Sequence, residues 1–134
     1  MQKKRILLID EDVHALENMY NQLEEMYDFN VKWLKDADNV IEIIEEEDFD
    51  AIILDIMMPV PAAWSKDDFR RADKGLSTGS ILFQKIRKLK PNMPILIYSA
   101  KGGIEIDSYS DNLRKPELTK IIVENLNKLM KDEN

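Results

Sequence analysis

Three stretches of this chain are apolar without a break, and each runs straight into a polar residue. Residues 6–9 (Ile-Leu-Leu-Ile) lead into Asp10, residues 51–54 (Ala-Ile-Ile-Leu) into Asp55, and residues 95–98 (Ile-Leu-Ile-Tyr) into Ser99. A run with no polar alternation predicts a strand buried on both faces, the habit of parallel sheets. Such a strand exposes side chains only where it ends. Asp10, Asp55 and Ser99 are therefore expected at the carboxyl edge, where open α/β sheets keep their ligand sites. Pro59 closes the stretch after Asp55 and bars further strand pairing.

The segments between these runs carry the helical period. Leu16, Met19, Tyr20, Leu23 and Met26 recur at helical spacing after Asp10, with Asp12 available as an N-cap. Val31 and Trp33 alternate with Lys32 and Leu34, which predicts a short strand near the sheet edge. Asp38 is expected to cap a second helix through Val40, Ile41, Ile43 and Ile44. Glu45, Glu46 and Glu47 would close it as solvated charge, unfavourable against the helix dipole. Ser77 or Thr78 can cap a helix with Ile81, Leu82, Ile86 and Leu89 on its stripe, and Pro91 lies beyond its end. Residues 104–114 offer a weak strand at best. Lys115-Pro116 precedes a strong final helix bearing Leu118, Ile121, Ile122, Leu126, Leu129 and Met130. Met19, Met26 and Met130 read as core filler. Alternating strands and helices predict a doubly wound parallel sheet with helices on both faces.

Length and composition narrow the function more than the fold. The 134 residues suit one domain, 1–134, with a full core. A net charge of −7 argues against nonspecific nucleic-acid binding and against an anionic membrane surface. The absence of cysteine removes disulfides, thiolate zinc sites and thiol nucleophiles. Apolar runs of four residues are too short to span a bilayer, and the run after Lys3-Lys4-Arg5 is too short for a signal peptide. A cytoplasmic location is the expectation. His14 is the only histidine and reads as a solvated residue at the start of the first helix.

If the strands lie parallel, Asp10-Glu11, Asp55, Ser99 and Lys115 converge. Three carboxylates at ~5 Å in an effective dielectric of ~20 cost about 3 kcal/mol per pair. A hard divalent cation offsets that cost, and carboxylate oxygens with water suit Mg²⁺. Lys115 adds a positive charge for an incoming anion, and Ser99 a hydroxyl donor. An acid, a cation site, an ammonium and a hydroxyl together form a phosphoryl-acceptor site.

These residues, with Asp55-Ile-Met-Met-Pro59, Ser99-Ala100 and Lys115-Pro116 in order, resemble the receiver domain of two-component response regulators over nearly the whole chain. The resemblance implies a five-stranded sheet of order 2-1-3-4-5. It implies that Asp55 accepts a phosphoryl group from a histidine kinase or histidine phosphotransfer protein. Glu11, Asp55 and the backbone carbonyl of Met57 would coordinate Mg²⁺, with Asp10 holding it through water. Lys115 would pair with the phosphoryl oxygens, and Ser99 would swing inward to hydrogen-bond them. Met57 and Lys101 would tune dephosphorylation. An unidentified downstream protein would read the resulting switch, with no output domain in this chain.

Two departures from receivers stand out. Between Pro59 and Gly79 the chain is longer, and the excess is either a lid or partner-contact element, partly helical from Trp64 to Ala72, or a solvated surface excursion. Between Ser99 and Lys115 it is shorter, so the crossover helix is expected to be truncated or replaced by a loop. Asn112 stands where receivers carry an aromatic, with Tyr109 nearby but out of register, which questions the usual relay. Three other functions compete with this one. A degenerate receiver would act only as a protein-interaction module. A phosphatase of the haloacid dehalogenase type needs a second Asp two residues after its nucleophile, and Met57 stands there. A flavodoxin-like flavin domain needs a Ser/Thr/Gly phosphate loop after the first strand, where this chain has acids.

Overall fold

The computed structural model describes residues 3–131. In chain order the elements are β1 (Arg5–Ile9), α1 (Val13–Glu25), β2 (Asn30–Leu34), α2 (Val40–Glu46), β3 (Ala51–Leu54) and α3 (Lys66–Arg71). They continue with α4 (Thr78–Leu89), β4 (Ile95–Ser99), β5 (Ser110–Arg114) and α5 (Thr119–Met130). The five strands form one parallel sheet in the order β2-β1-β3-β4-β5, as the resemblance implied.

The unbroken apolar runs have a direct cause. Successive side chains of a strand point to opposite faces, so each inner strand feeds two layers. Leu7, Ile9, Ile52, Leu54, Ile95 and Ile97 pack with Val40 and Ile44 of α2 and with Leu82 and Ile86 of α4. Ile6, Leu8, Ile53, Leu96 and Tyr98 pack on the other side with Leu16 and Leu23 of α1 and Ile122 and Leu126 of α5. Each such side chain contributes about 1.5–3 kcal/mol by leaving water. The edge strands β2 and β5 are only half-buried. That is why β5, with Leu113 as its one large apolar residue, gave so faint a signal, yet it pairs with β4 at five positions from Ile95↔Ser110 to Ser99↔Arg114.

Several local expectations are corrected. Asp38 does not cap α2. The chain turns through a left-handed Asn39 (φ 62°) instead, and the Asp38 N–H is spent on Asp36 Oδ1. Met26 falls just past the end of α1 and is 67% exposed, and Leu118 precedes the first turn of α5 and is 70% exposed. Neither is core. Ser77 stands at the cap position of α4 without capping it, and the Thr78 hydroxyl donates instead to the Met58 carbonyl. Glu47 lies beyond the last turn of α2 and is not idle charge: it accepts from Lys32 Nζ (2.6 Å) and Arg5 Nη2 (3.0 Å). These two cations hold its carboxyl below the usual range. Asp12 does cap α1, accepting from the Ala15 N–H, and His14 is an exposed residue of the same helix. Among the described residues no helix is long and apolar enough to cross a membrane.

Candidate functional site

The sheet register builds the site. Ile9 pairs with Leu54, so the next residues, Asp10 and Asp55, leave neighbouring strands side by side, with backbones ~4.8 Å apart. Each backbone is held by a further ladder bond, the Asp10 N–H to the Leu34 carbonyl and the Asp55 N–H to the Ile9 carbonyl, both at 3.0 Å. Ser99 ends β4 beside them, and Lys115 follows Arg114, the register partner of Ser99. The Lys115 N–H donates to the Ser99 carbonyl at 3.0 Å.

The Lys115 ammonium joins the two acids. It donates to Asp10 Oδ2 at 2.5 Å and stands 3.4 Å from Asp55 Oδ2. The remaining oxygens take backbone donors: Asp10 Oδ1 accepts from the Asp12 N–H, and Asp55 Oδ1 from the Ile56 N–H. Asp10 and Asp55 are both buried, at 1% and 6% exposure. Burial pushes the Asp10 carboxyl above its usual range, with the Asp55 charge adding to it, even though Lys115 pulls the other way. Burial alone would lower the Lys115 pKa, but its hydrogen bond to Asp10 and the two negative charges outweigh that and raise it. The shared direction has different causes, burial for Asp10 and the neighbouring carboxylates for Lys115.

The expected crowd of three carboxylates is a pair here. Glu11 is exposed, and among the described residues no group of three acidic or histidine side chains is arranged to hold a metal ion. The chemistry of the donor set still fits Mg²⁺. Asp10, Asp55 and the Met57 carbonyl are hard oxygen donors, the pair carries an uncompensated negative charge, and Glu11 follows Asp10 directly. Ser99 is buried, and its Oγ accepts from the Lys101 N–H at 3.3 Å.

Both departures from receivers close around this site. Residues 60–78 are fastened down at several points, while α3 between them buries none of its residues. Trp64 packs on the α2–α4 core, Pro61 and Ala72 are buried, and Ser65 caps α3. Lys85 of α4 reaches Asp68 of α3 at 2.8 Å and lies over the Trp64 ring. The segment is also tied to the turn after Asp55: the Met58 N–H donates to the Gly75 carbonyl, and the Gly79 N–H to the Ile56 carbonyl at 2.7 Å. Gly79 is obligatory at this crossing, because a Cβ there would lie 2.1 Å from the Asp55 carbonyl oxygen. Lys101 extends from the far side, its ammonium donating to the Leu76 carbonyl (2.7 Å) and Ser77 Oγ (3.2 Å).

The short connection between β4 and β5 contains no helix, as expected. Asn112 fastens it from β5: its Oδ1 accepts from the Ile104 N–H (3.1 Å), and its Nδ2 donates to the Ile104 carbonyl (2.8 Å). Tyr109 takes no part in this clasp. Its carbonyl accepts from the Ile95 N–H.

Two supporting residues escaped the sequence reading. Trp33 of β2 donates its indole N–H to the Asp10 carbonyl at 2.9 Å. Tyr98 of β4 hydrogen-bonds the backbone of Glu117 just beyond Lys115. The available signal was an aromatic with a polar tip on a strand next to a site residue, since such tips find partners when buried.

Comparison with known proteins agrees with this architecture. Residues 6–62 match the family model of the response regulator receiver domain, and the match stops where the inserted segment begins. No curated protein matches the chain. Among solved structures, a response regulator receiver domain protein from Methanospirillum hungatei superposes with a TM-score of 0.74 at 22% identity, over 98% of this chain and 96% of that one. A response regulator receiver protein from Sinorhizobium medicae gives 0.74 at 20% identity, over 99% and 98%. A response regulator protein from Thermotoga maritima, in complex with Mg²⁺ and BeF, gives 0.71 at 23%, over 94% and 98%. Over residues 6–62 by its sequence, and over its described length by its fold, this chain is similar to the response regulator receiver domain.

Proposed function

We propose that this chain is a phosphoacceptor signalling domain in which Asp55 receives a phosphoryl group from a phosphohistidine of a kinase or phosphotransfer protein. The observation that carries the reading is the Lys115 ammonium between Asp10 and Asp55 at the carboxyl edge of the sheet. An Asp55 carboxylate oxygen forms a bond to phosphorus as the phosphorus–nitrogen bond of the donor breaks. The electron pair stays with the imidazole, which takes a proton. The product is an acyl phosphate on Asp55. Lys115 is already raised in pKa and stays charged to meet the phosphoryl oxygens. Ser99 can exchange its bond from the Lys101 N–H for one to the phosphoryl group, a change of partner that biases a two-state equilibrium.

Glu11, Asp10, Asp55 and the Met57 carbonyl would hold Mg²⁺, which supplies neutralising charge while the phosphoryl group arrives. We place the work of the domain in the cytoplasm, with a downstream protein reading the switch. The chain catalyses at most its own phosphorylation and dephosphorylation. A second reading, a phosphorylation-independent interaction module, draws support from Asn112, which holds the connection after Ser99 at two points.

The deciding experiment is intact-mass measurement after incubation with a small acyl phosphate and Mg²⁺. Wild type is expected to gain the mass of one phosphoryl group, and Asp55→Asn none. Mg²⁺ alone is expected to raise the melting temperature, because it binds only the folded acid cluster. No mass gain in wild type would leave the interaction-module reading in its place.

A further inference from the structure

Tyr98 is the next-to-last residue of β4, and its side chain leaves the sheet on the α1–α5 face with only 4% exposure. Its apolar neighbours account for the ring. They do not account for the hydroxyl, which needs a hydrogen-bond partner once buried. That partner is the backbone of Glu117: the Glu117 N–H donates to Tyr98 Oη at 2.9 Å, and Oη lies 3.5 Å from the Glu117 carbonyl as donor.

The placement matters because Glu117 is two residues past Lys115. The last two residues of β4 therefore hold the Lys115–Glu117 segment at both ends. The Ser99 carbonyl accepts from the Lys115 N–H, and the Tyr98 hydroxyl accepts from the Glu117 N–H. The Lys115 ammonium also lies over the Tyr98 ring, 5.7 Å from its centroid. A flexible lysine stem is thus launched from a backbone fixed on each side of Pro116. Burial pushes the Tyr98 pKa up, so its hydroxyl stays neutral and can keep both bonds.

We propose that Tyr98 is a positioning residue for phosphoryl transfer: by pinning Glu117 it fixes where the Lys115 ammonium stands relative to Asp55. The proposal rests on Asp55 being the acceptor. Misplacing a catalytic group by ~1 Å costs about 100-fold in rate, and a segment that keeps its other anchor at Ser99 is expected to lose less. Tyr98→Phe keeps the ring and removes only the hydroxyl.

The test measures the rate of mass gain against acyl phosphate concentration in Mg²⁺, for the full chain carrying Tyr98→Phe, Lys115→Met, or both. Tyr98→Phe is expected to lower the maximal rate about tenfold, with the half-saturating donor concentration unchanged within twofold. In the Lys115→Met background it is expected to have no further effect, because Tyr98 acts through Lys115. A wild-type rate in Tyr98→Phe would overturn the proposal, and so would an equal slowing in both backgrounds, the mark of a general structural role. Should Tyr98→Phe melt below the assay temperature, 3-fluorotyrosine at position 98 replaces it, with a smaller slowing of the same kind expected.

A second readout separates this proposal from the acceptor reading. NMR relaxation of the Lys115 side chain needs no phosphoryl donor, and Tyr98→Phe is expected to make that side chain measurably more mobile. If wild type takes no phosphoryl group, the acceptor reading falls. If Lys115 mobility is unchanged in Tyr98→Phe, the positioning role falls.

Discussion

The long segment before α4 and the short one after β4 flank the same site but are held by different forces. Residues 60–78 are anchored by an aromatic ring on the α2–α4 core, a buried proline and a buried alanine, with backbone bonds to the Asp55 turn. Residues 100–109 bury little apolar surface, and Ile106 is 41% exposed. Ile104 packs on the α2–α4 core as Trp64 does, but it is the one apolar anchor there, and polar side chains supply the rest. Asn112 clasps Ile104, while Asp107 accepts from the Tyr109 N–H, the Ser110 hydroxyl and the Arg87 guanidinium. A chain that gains residues can anchor them at a few points on the core it already has. One that loses a helix must replace area with directed bonds, which are worth less each and depend on charge.

That contrast can be broken at its strongest point first. Gly79→Ala drives a methyl group into the Asp55 carbonyl and is expected to cost about 4 kcal/mol or to prevent folding, read by chemical denaturation. Trp64→Ala should cost about 2 kcal/mol, since a half-buried ring leaves the α2–α4 core, and should speed hydrogen exchange across residues 60–78. Asn112→Ala removes two hydrogen bonds and should cost about 1 kcal/mol. Its exchange effect should centre on the Ile104 amide and leave the longer segment protected.

The smallest effect sharpens the contrast through pH. Asp107 is held below the usual carboxylate range: burial opposes this, but the Ser110 hydroxyl and Arg87 outweigh it. A lowered pKa means that the stability Asp107 supplies is complete above the unfolded value and is lost as pH falls through the folded one. Amides of residues 104–110 should therefore lose protection in acid. Residues 60–78 also contain a lowered acid, Asp68, paired with Lys85, but keep their apolar anchors. They should open at lower pH. Equal loss in both segments on an acid titration followed by NMR would remove the distinction.

How much of this could be read from residues alone follows from the same division. Strands buried on two faces announce themselves, so the ends of β1, β3 and β4, and with them Asp10, Asp55 and Ser99, were legible. Strand β5 was not, because an edge strand closed by polar stitches has no apolar period. Asp38 misled because helix capping depends on backbone angles at Asn39 that no composition reveals. Glu47 read as surplus charge because its partners, Arg5 and Lys32, come from two other strands. Glu11 was placed among the buried acids by its position beside Asp10, but it is exposed here and would have to turn inward to reach a cation. Tyr98 was hidden by its own strand: in a run of apolar residues its hydroxyl reads as an accident.

The clasp between Asn112 and Ile104 leaves no room for a side chain on the residue before it. A Cβ on Gly103 would lie 2.4 Å from Asn112 Cγ. Position 103 therefore stays glycine for as long as Asn112 holds the clasp. A substitution at 103 alone would evict the amide and unfasten the connection beside Ser99.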